Sequence, residues 1–184
     1  CGRPVLANRI RLVDDDGHDV PVGEVGEIVM RNRGVMLGYR NLPEQTDEAL
    51  KNGWLHTGDL ARQDDEGLLY IVDRKKDMIV SGGFNIYASE VEAALTGHPS
   101  VSSAAVIGVP DERWGETVTA FVVARSGQEI DVPALQAFVK QVKGSMYAPK
   151  EVVVVDSLPQ TAVGKVDKKS LRAPYWRDST RNVH

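Results

Sequence analysis

The sequence predicts an α+β protein in two parts, the first almost wholly β and the second a small sheet flanked by helices. Two observations predict it. Up to about residue 73 the apolar residues fall in short strand-like runs separated by turns rich in Asp and Gly, as in RIRLVDDDG and LARQDDEGLLYIV. From about Lys75 such runs alternate with stretches whose apolar residues recur at helical spacing, as in VPALQAFVKQV.

In the first part, Arg9 to Val13 predicts a strand, Asp14 to Gly17 a turn, and Glu24 to Arg31 a second strand. A short helix is expected from Pro43 to Lys51, with Asn41 as its cap and Glu44 three residues on. Leu60 to Gln63 and Leu68 to Val72 bracket the acidic turn Asp64 to Gly67 and read as a hairpin. In the second part, Met78 to Val80 reads as a strand, and Gly82 with Gly83 as a turn, since adjacent glycines take φ > 0 freely. Ser89 followed three residues later by Glu92 matches a capping box and predicts a helix from Ser89 to Leu95. Ala104 to Val109 and Thr117 to Ala124 read as apolar strands. Val132, Leu135, Phe138, Val139 and Val142 mark one face of a helix starting near Asp131. Val152 to Val155 is the last strand, followed by a PQTAVGK loop and a charged tail helix, where Lys168, Lys169 and Arg172 read as a solvated basic patch.

A chain of 184 residues with 42% hydrophobic residues is long enough to bury a real core. A net charge of -4 offers no basic field for nucleic acid. The single cysteine, Cys1, excludes an internal disulfide and fits a reducing compartment. No apolar run reaches the roughly 18 residues that span a bilayer, and no signal peptide opens the chain, so the expected location is the cytoplasm. His18, His56, His98 and His184 have no spacing suited to a metal, and Cys1 has no evident base.

Three segments carry chemistry. GWLHTGD, from Gly53 to Asp59, puts a carboxylate at the end of a turn. DRKKDMIVSGGFNIYASEVE, from Asp73 to Glu92, places a triplet of positive charges before a flexible Gly-Gly turn and a helix start, the layout of a jointed segment. PQTAVGK, from Pro159 to Lys165, puts an amine on a glycine-flanked loop.

In this order and at these separations the three motifs resemble the C-terminal part of the adenylate-forming enzymes: acyl-CoA synthetases, luciferases and peptide-synthetase adenylation domains. The resemblance covers essentially the whole chain. It implies that residues 1–74 form the small β-barrel closing a large N-terminal domain and that residues 75–184 form a mobile lid. It further implies ATP-dependent activation of a carboxylic acid to an acyl-AMP, then thioester formation with coenzyme A. The stretch DRKKDMIVSGGFNIY looks closer to CoA ligases than to peptide-synthetase domains, which points to an acyl-CoA synthetase acting on a fatty or aryl acid. Delivery of the acyl group to a carrier protein or to oxygen is an alternative within the superfamily. A non-catalytic interaction module is the alternative of another class.

The resemblance also assigns residues. Lys165 matches the lysine that bridges carboxylate and nucleotide oxygens during adenylation, a role suited to a charged donor facing a charge-dense transition state. Asp59 matches the aspartate that accepts both ribose hydroxyls, with capping of the TGD turn as its bland role. Arg74 is expected to contact ribose or phosphate, against a structural salt bridge. Lys76 stands where relatives place the hinge, some with Asp and others with Lys, and an exposed polar residue can change φ/ψ without losing a core contact. Ser81, Gly82 and Gly83 line the pantetheine tunnel in the family. Trp114 either stacks on the CoA adenine, as in some relatives, or packs under the strand at Thr117. Lys150 either meets a CoA phosphate or, as is commoner for a lone Lys beside a strand, lies on the surface.

The chain opens without an initiating Met, and the expectation is that residue 1 is internal to a longer protein. The family's phosphate loop, its Thr-Glu pair for Mg2+ and most of the acid pocket belong to the domain preceding this point. The 184 residues alone are therefore expected to be inactive, and Mg2+ ligands are expected outside them. The partners implied are the acid, ATP, CoA and that N-terminal domain, with a homodimer left open.

Overall fold

The computed structural model describes residues 2–5 and 8–177; Cys1 and His184 lie outside them. The chain divides into two compact units, one ending at Lys76 and the next beginning at Asp77. Among the described residues no helix is long and apolar enough to cross a membrane.

The first unit contains β1 (Arg9–Val13), β2 (Val25–Arg31), α1 (Pro43–Ala49), β3 (Leu50–Lys51), β4 (Trp54–Gln63) and β5 (Leu69–Arg74). Its sheet is antiparallel throughout, in the order β1-β2-β4-β3 with β5 also on β4. Strand alternation sends Leu12 and its cross-strand partner Ile28 inward, where they join Ala61 and Leu69. Both acidic turns use one device. Asp14 Oδ1 accepts the Asp16 and His18 N–H groups, and Asp64 Oδ1 accepts those of Glu66 and Leu68, so each carboxylate holds its reversal closed.

Helix α1 starts differently from the expectation. Its N-cap is Leu42, with no side-chain cap, and Asn41 stands at φ 58°. Asn tolerates that left-handed conformation better than most residues, so Asn41 turns the chain into the helix rather than capping it.

The second unit contains β6 (Ile79–Ser81), β7 (Phe84–Ile86), α2 (Ala88–Thr96), β8 (Val101–Asp111), β9 (Gly115–Ala124), α3 (Val132–Lys143), β10 (Glu151–Val154) and α4 (Lys168–Trp176). Its sheet runs β10-β9-β6-β7 with β8 also on β9; β10 is parallel to β9 and the other pairs are antiparallel. Residues 105–108 and 117–122 are buried without alternation, as strands covered on both faces are. Val118, Ala120 and Val122 share one core with Val91 and Leu95 of α2 and Leu135 and Val139 of α3. Phe121 alternates to the other face and meets the Tyr175 ring of α4 edge-on, at 6.4 Å between centroids.

Helix α3 starts near Asp131 as expected, and Asp131 caps it by accepting the Ala134 N–H at 3.1 Å. The capping box at α2 does not form: the N-cap is Tyr87 and Ser89 lies inside the first turn. Glu92 instead accepts the Val106 N–H at 2.8 Å and ties the helix to β8. Strands β3 and β7 were not anticipated; each is too short to carry a periodicity. Val142 continues the apolar stripe of α3 but is 54% exposed, because α3 there runs past the core that buries Leu135 and Val139. Leu135→Ala should therefore cost about 2–5 kcal/mol of stability and Val142→Ala less than about 0.5 kcal/mol. Denaturant unfolding of the two variants checks this, and equal losses would contradict the burial.

Candidate functional site

Within the first unit the structure brings Asp59 and Arg74 together. They are cross-strand partners on β4 and β5, with Arg74 Nε 2.7 Å from Asp59 Oδ1. The TGD segment is not a turn, as its Gly and Thr suggested, but a bulged stretch inside β4. The β2–β4 register shifts between Glu27 and Val29, so Thr57, Gly58 and Asp59 bulge out of the pairing. Thr57 Oγ1 donates to Ile28 O and accepts the Asp59 N–H, which fixes the backbone that carries Asp59.

The group that supports this bulge is Glu27, a residue the motifs did not single out. Its side chain is buried, and Oε1 accepts the Gly58 N–H at 3.1 Å. Oε2 lies 3.1 Å from His56 Nδ1 and accepts from Lys75 Nζ at 3.1 Å. Burial by itself would raise the Glu27 carboxyl, but hydrogen bonds from His56, Lys75 and Gly58 together outweigh it and hold the carboxyl below its ordinary value. Burial likewise pulls the Lys75 amine down, and Asp15 with Glu27 more than reverse it, so Lys75 is held above its ordinary value. His56 thus has a structural partner beside the bulge.

Lys75, Lys76 and Asp77 make one 3₁₀ turn at the division between the units. Lys75 is paired with Glu27 and Asp15, Asp77 is buried, and Lys76 between them is exposed.

Within the second unit Ser81, Gly82, Gly83, Trp114 and Lys150 converge. Gly82 and Gly83 have φ 58° and 81°, the two positive values of a type I′ turn joining β6 to β7. Gly82 N donates to Trp114 O at 2.8 Å, and a Cβ on Gly82 would stand 2.7 Å from the Trp114 ring, whereas one on Gly83 would meet open space. Ser81 is buried beside the turn and pairs with Gly115. Lys150 Nζ and the Arg113 guanidinium each lie 4.8 Å from the centre of the Trp114 ring. Trp114 therefore packs on the turn and keeps two cations over its ring.

Lys165 is not part of that cluster. It is exposed on a tight loop closed by Thr161 N to Lys165 O at 2.7 Å and Gly164 N to Thr161 O at 2.9 Å. Its amine has no ion-pair partner among the described residues. Of the tail residues after it that read as a solvated patch, Lys169 is exposed, but Lys168 and Arg172 are not solvated. Lys168 pairs with Glu92 at 2.7 Å and Arg172 with Asp77 at 2.8 Å, with all four side chains largely shielded. Nothing in a KKSLR string shows this, because the acids that pair with it come from distant segments.

Asp14, Asp16 and His18 present ligand atoms within 4.8 Å of one another, but all three are exposed and Asp14 is occupied in closing its own turn. They do not fit a Mg2+ held against a nucleotide.

The family model for the AMP-binding enzyme C-terminal domain matches residues 90–165, and that for the AMP-binding enzyme matches residues 1–40. A medium/long-chain-fatty-acid–CoA ligase of Mycobacterium tuberculosis is 54% identical over all of the chain and 33% of its own length. A fatty acid–[acyl-carrier-protein] ligase of Streptomyces coeruleorubidus is 41% identical over all of the chain and 36% of its length. The ATP-bound crystal structure of MatB from Rhodopseudomonas palustris superposes with a TM-score of 0.88 at 35% identity, over 98% of the chain and 36% of that structure. The chain thus spans about a third of the length of the relatives it matches.

The Glu27 network has a pH signature. A carboxyl held below its ordinary value of 4.5 stabilises the fold fully above that pH, and the contribution is lost as pH falls through the folded value. Glu27→Gln should destabilise by about 1–3 kcal/mol at pH 7, with the gap to the parent narrowing towards pH ~3. Urea unfolding at both pH values measures it; a gap that does not change would mean Glu27 is not an ionised acceptor.

Proposed function

The chain belongs to the AMP-binding, adenylate-forming enzymes, and from that premise we propose that the protein carrying it is an acyl-CoA ligase acting on a fatty or aryl acid. A carboxylate oxygen of the acid attacks the α-phosphorus of ATP, and pyrophosphate leaves. The thiol of coenzyme A, losing its proton, then attacks the acyl carbon, and AMP leaves. The observation that carries the choice of coenzyme A is the Trp114 cluster. An aromatic face with Arg113 and Lys150 beside it suits a purine nucleotide with phosphates, and the open space at Gly83 leaves room for a thin thiol arm. A pantetheine arm fixed to a carrier protein brings no purine to such a surface.

On this reading residues 1–74 close the adenylation domain and residues 75–184 are its lid. Asp59 accepts the ribose hydroxyls, for which a carboxylate is the right acceptor, and Arg74 holds Asp59 and reaches a nucleotide oxygen. Lys165 supplies the positive charge for the first half-reaction. Lys76 is the joint, and turning there replaces the Lys165 loop by the Ser81–Gly82–Gly83 turn for the second. Trp114 and Lys150 hold the nucleotide end of coenzyme A. Mg2+ accompanies ATP through residues of the larger protein.

The second reading, transfer to a carrier protein, is favoured by the 41% identical relative from Streptomyces coeruleorubidus. AMP release by the intact enzyme given ATP and a medium-chain acid separates the two. Free coenzyme A should be required for turnover; turnover with an acyl-carrier protein and none with free coenzyme A would establish the second. No turnover with either acceptor would favour an interaction module.

Lys165→Ala should slow acyl-AMP formation by about 100-fold while leaving transfer from supplied acyl-AMP much less affected. Single-turnover assays of each half-reaction decide, and equal losses would place Lys165 outside this role. Lys76→Pro should do the reverse. Proline at this position fixes φ at about −65° and so hinders the backbone rotation that exchanges the two faces. Adenylation should persist and coenzyme A transfer should fall steeply; transfer at the parent rate would put the joint elsewhere.

A further inference from the structure

Helix α4 is an unusual element to find firmly placed. It has no buried residue and contains Pro174. Its first residue follows the Lys165 loop almost directly: Asp167 caps the helix by accepting the Ser170 N–H at 3.2 Å, and Asp167 N donates to Pro159 O at 2.8 Å, sealing the base of the loop. The direction in which Lys165 projects therefore depends on how α4 lies. Most of what holds α4 reaches α2 and the β8–β9 strands: Lys168 on Glu92, Trp176 Nε1 donating to Gly108 O at 3.1 Å, and Tyr175 on Phe121.

One contact reaches a different place. Arg172 Nη2 lies 2.8 Å from Asp77 Oδ1, and Asp77 immediately follows Lys76. The side chains are 14% and 13% exposed. The contact is an ion pair by distance, without the alignment of a hydrogen bond, since Oδ1 has no hydrogen-bonded donor. A shielded pair of this kind is weak evidence for stability, because an apolar pair of similar volume often serves as well or better. Its best-attested use is to fix one arrangement among several that packing alone would tolerate.

Resting on the function proposed above, we infer that Asp77 and Arg172 are positioning residues for Lys165: the pair fixes the lie of α4, and with it the Lys165 loop, against the residue beside the joint. The loop then turns as one body with the chain leaving Lys76, and Lys165 arrives at the nucleotide in a single orientation. Neither residue touches substrate. A misplacement of the amine by about 1 Å is enough to cost on the order of 100-fold in rate.

The experiment uses the intact enzyme and compares Asp77→Leu/Arg172→Met with Lys165→Ala. Removing both charges avoids leaving either one buried alone, and thermal unfolding confirms that the double variant is folded. Acyl-AMP formation in a single turnover should fall by about 10- to 100-fold, while transfer from supplied acyl-AMP stays within about threefold. Exchange of the charges, Asp77→Arg/Arg172→Asp, should recover part of the first rate. Equal losses in both half-reactions, or no loss, overturns the inference when Lys165→Ala retains its own asymmetry. If Lys165→Ala shows no asymmetry, the role of Lys165 falls and this inference falls with it.

Discussion

Lys75 and Asp77 are each tied into their own unit by a charge partner, Glu27 on one side and Arg172 on the other, which leaves Lys76 as the exposed residue between two anchors. Charges taken out of water must be partnered, and the partners here come from strands and helices far away in sequence. Glu27 is on β2, opposite the bulge of β4, so the carboxylate that anchors Lys75 also accepts the Gly58 N–H of the bulge. Asp59 stands on the next residue, and its placement follows from the same buried group. Arg172 is on the helix that follows the Lys165 loop. The features with chemical consequences in each unit are therefore wired to opposite sides of a single residue.

The Trp114 cluster obeys a different constraint, set by backbone rather than by charge. Asp111 Oδ1 accepts the N–H groups of Arg113 and Trp114 at 2.9 and 2.8 Å, and Gly82 N donates to Trp114 O, so the ring is oriented before any ligand arrives. The Trp114 N–H bond, with that of Arg113 and the nearby Lys150 and Arg113 charges, outweighs the effect of burial and holds the Asp111 carboxyl below its ordinary value. Gly82 fills two requirements together. Its φ of 58° suits the turn, and the missing Cβ makes room for the indole.

Sequence reasoning found what is local and missed what is tertiary. Most of the longer strands, the start of α3 near Asp131 and the Gly-Gly turn were legible because each depends on residues a few positions apart. The mistaken caps show the limit: Asn41 and Ser89 carry the right side chains for an N-cap, but the backbone starts each helix one or more residues away from the spacing they suggested. Lys168 and Arg172 read as solvated because charge alone cannot show that Glu92 and Asp77 lie across from them. Glu27 was invisible for the same reason: a Glu between apolar residues of a strand alternates with them, and only the bulge opposite explains why it points inward. Asp59 and Arg74 were named singly, and the ladder pairing that makes them partners needed the register of β4 on β5.

A lysine at the tip of a glycine-flanked loop is a poor place for a charge that must be aimed. Four rotatable bonds and an exposed backbone give the amine many orientations. The two short hydrogen bonds across the Thr161–Lys165 loop remove part of that freedom, and the Pro159–Asp167 bond removes more at the base. What they leave is the tilt of the whole loop. Tilt is governed by α4, and an amphipathic helix without a buried residue cannot fix it by packing alone. Specific polar contacts must do so, and α4 has them: two ion pairs and an indole hydrogen bond along one helix. The loop thus stays exposed while its rigidity lies in the helix behind it.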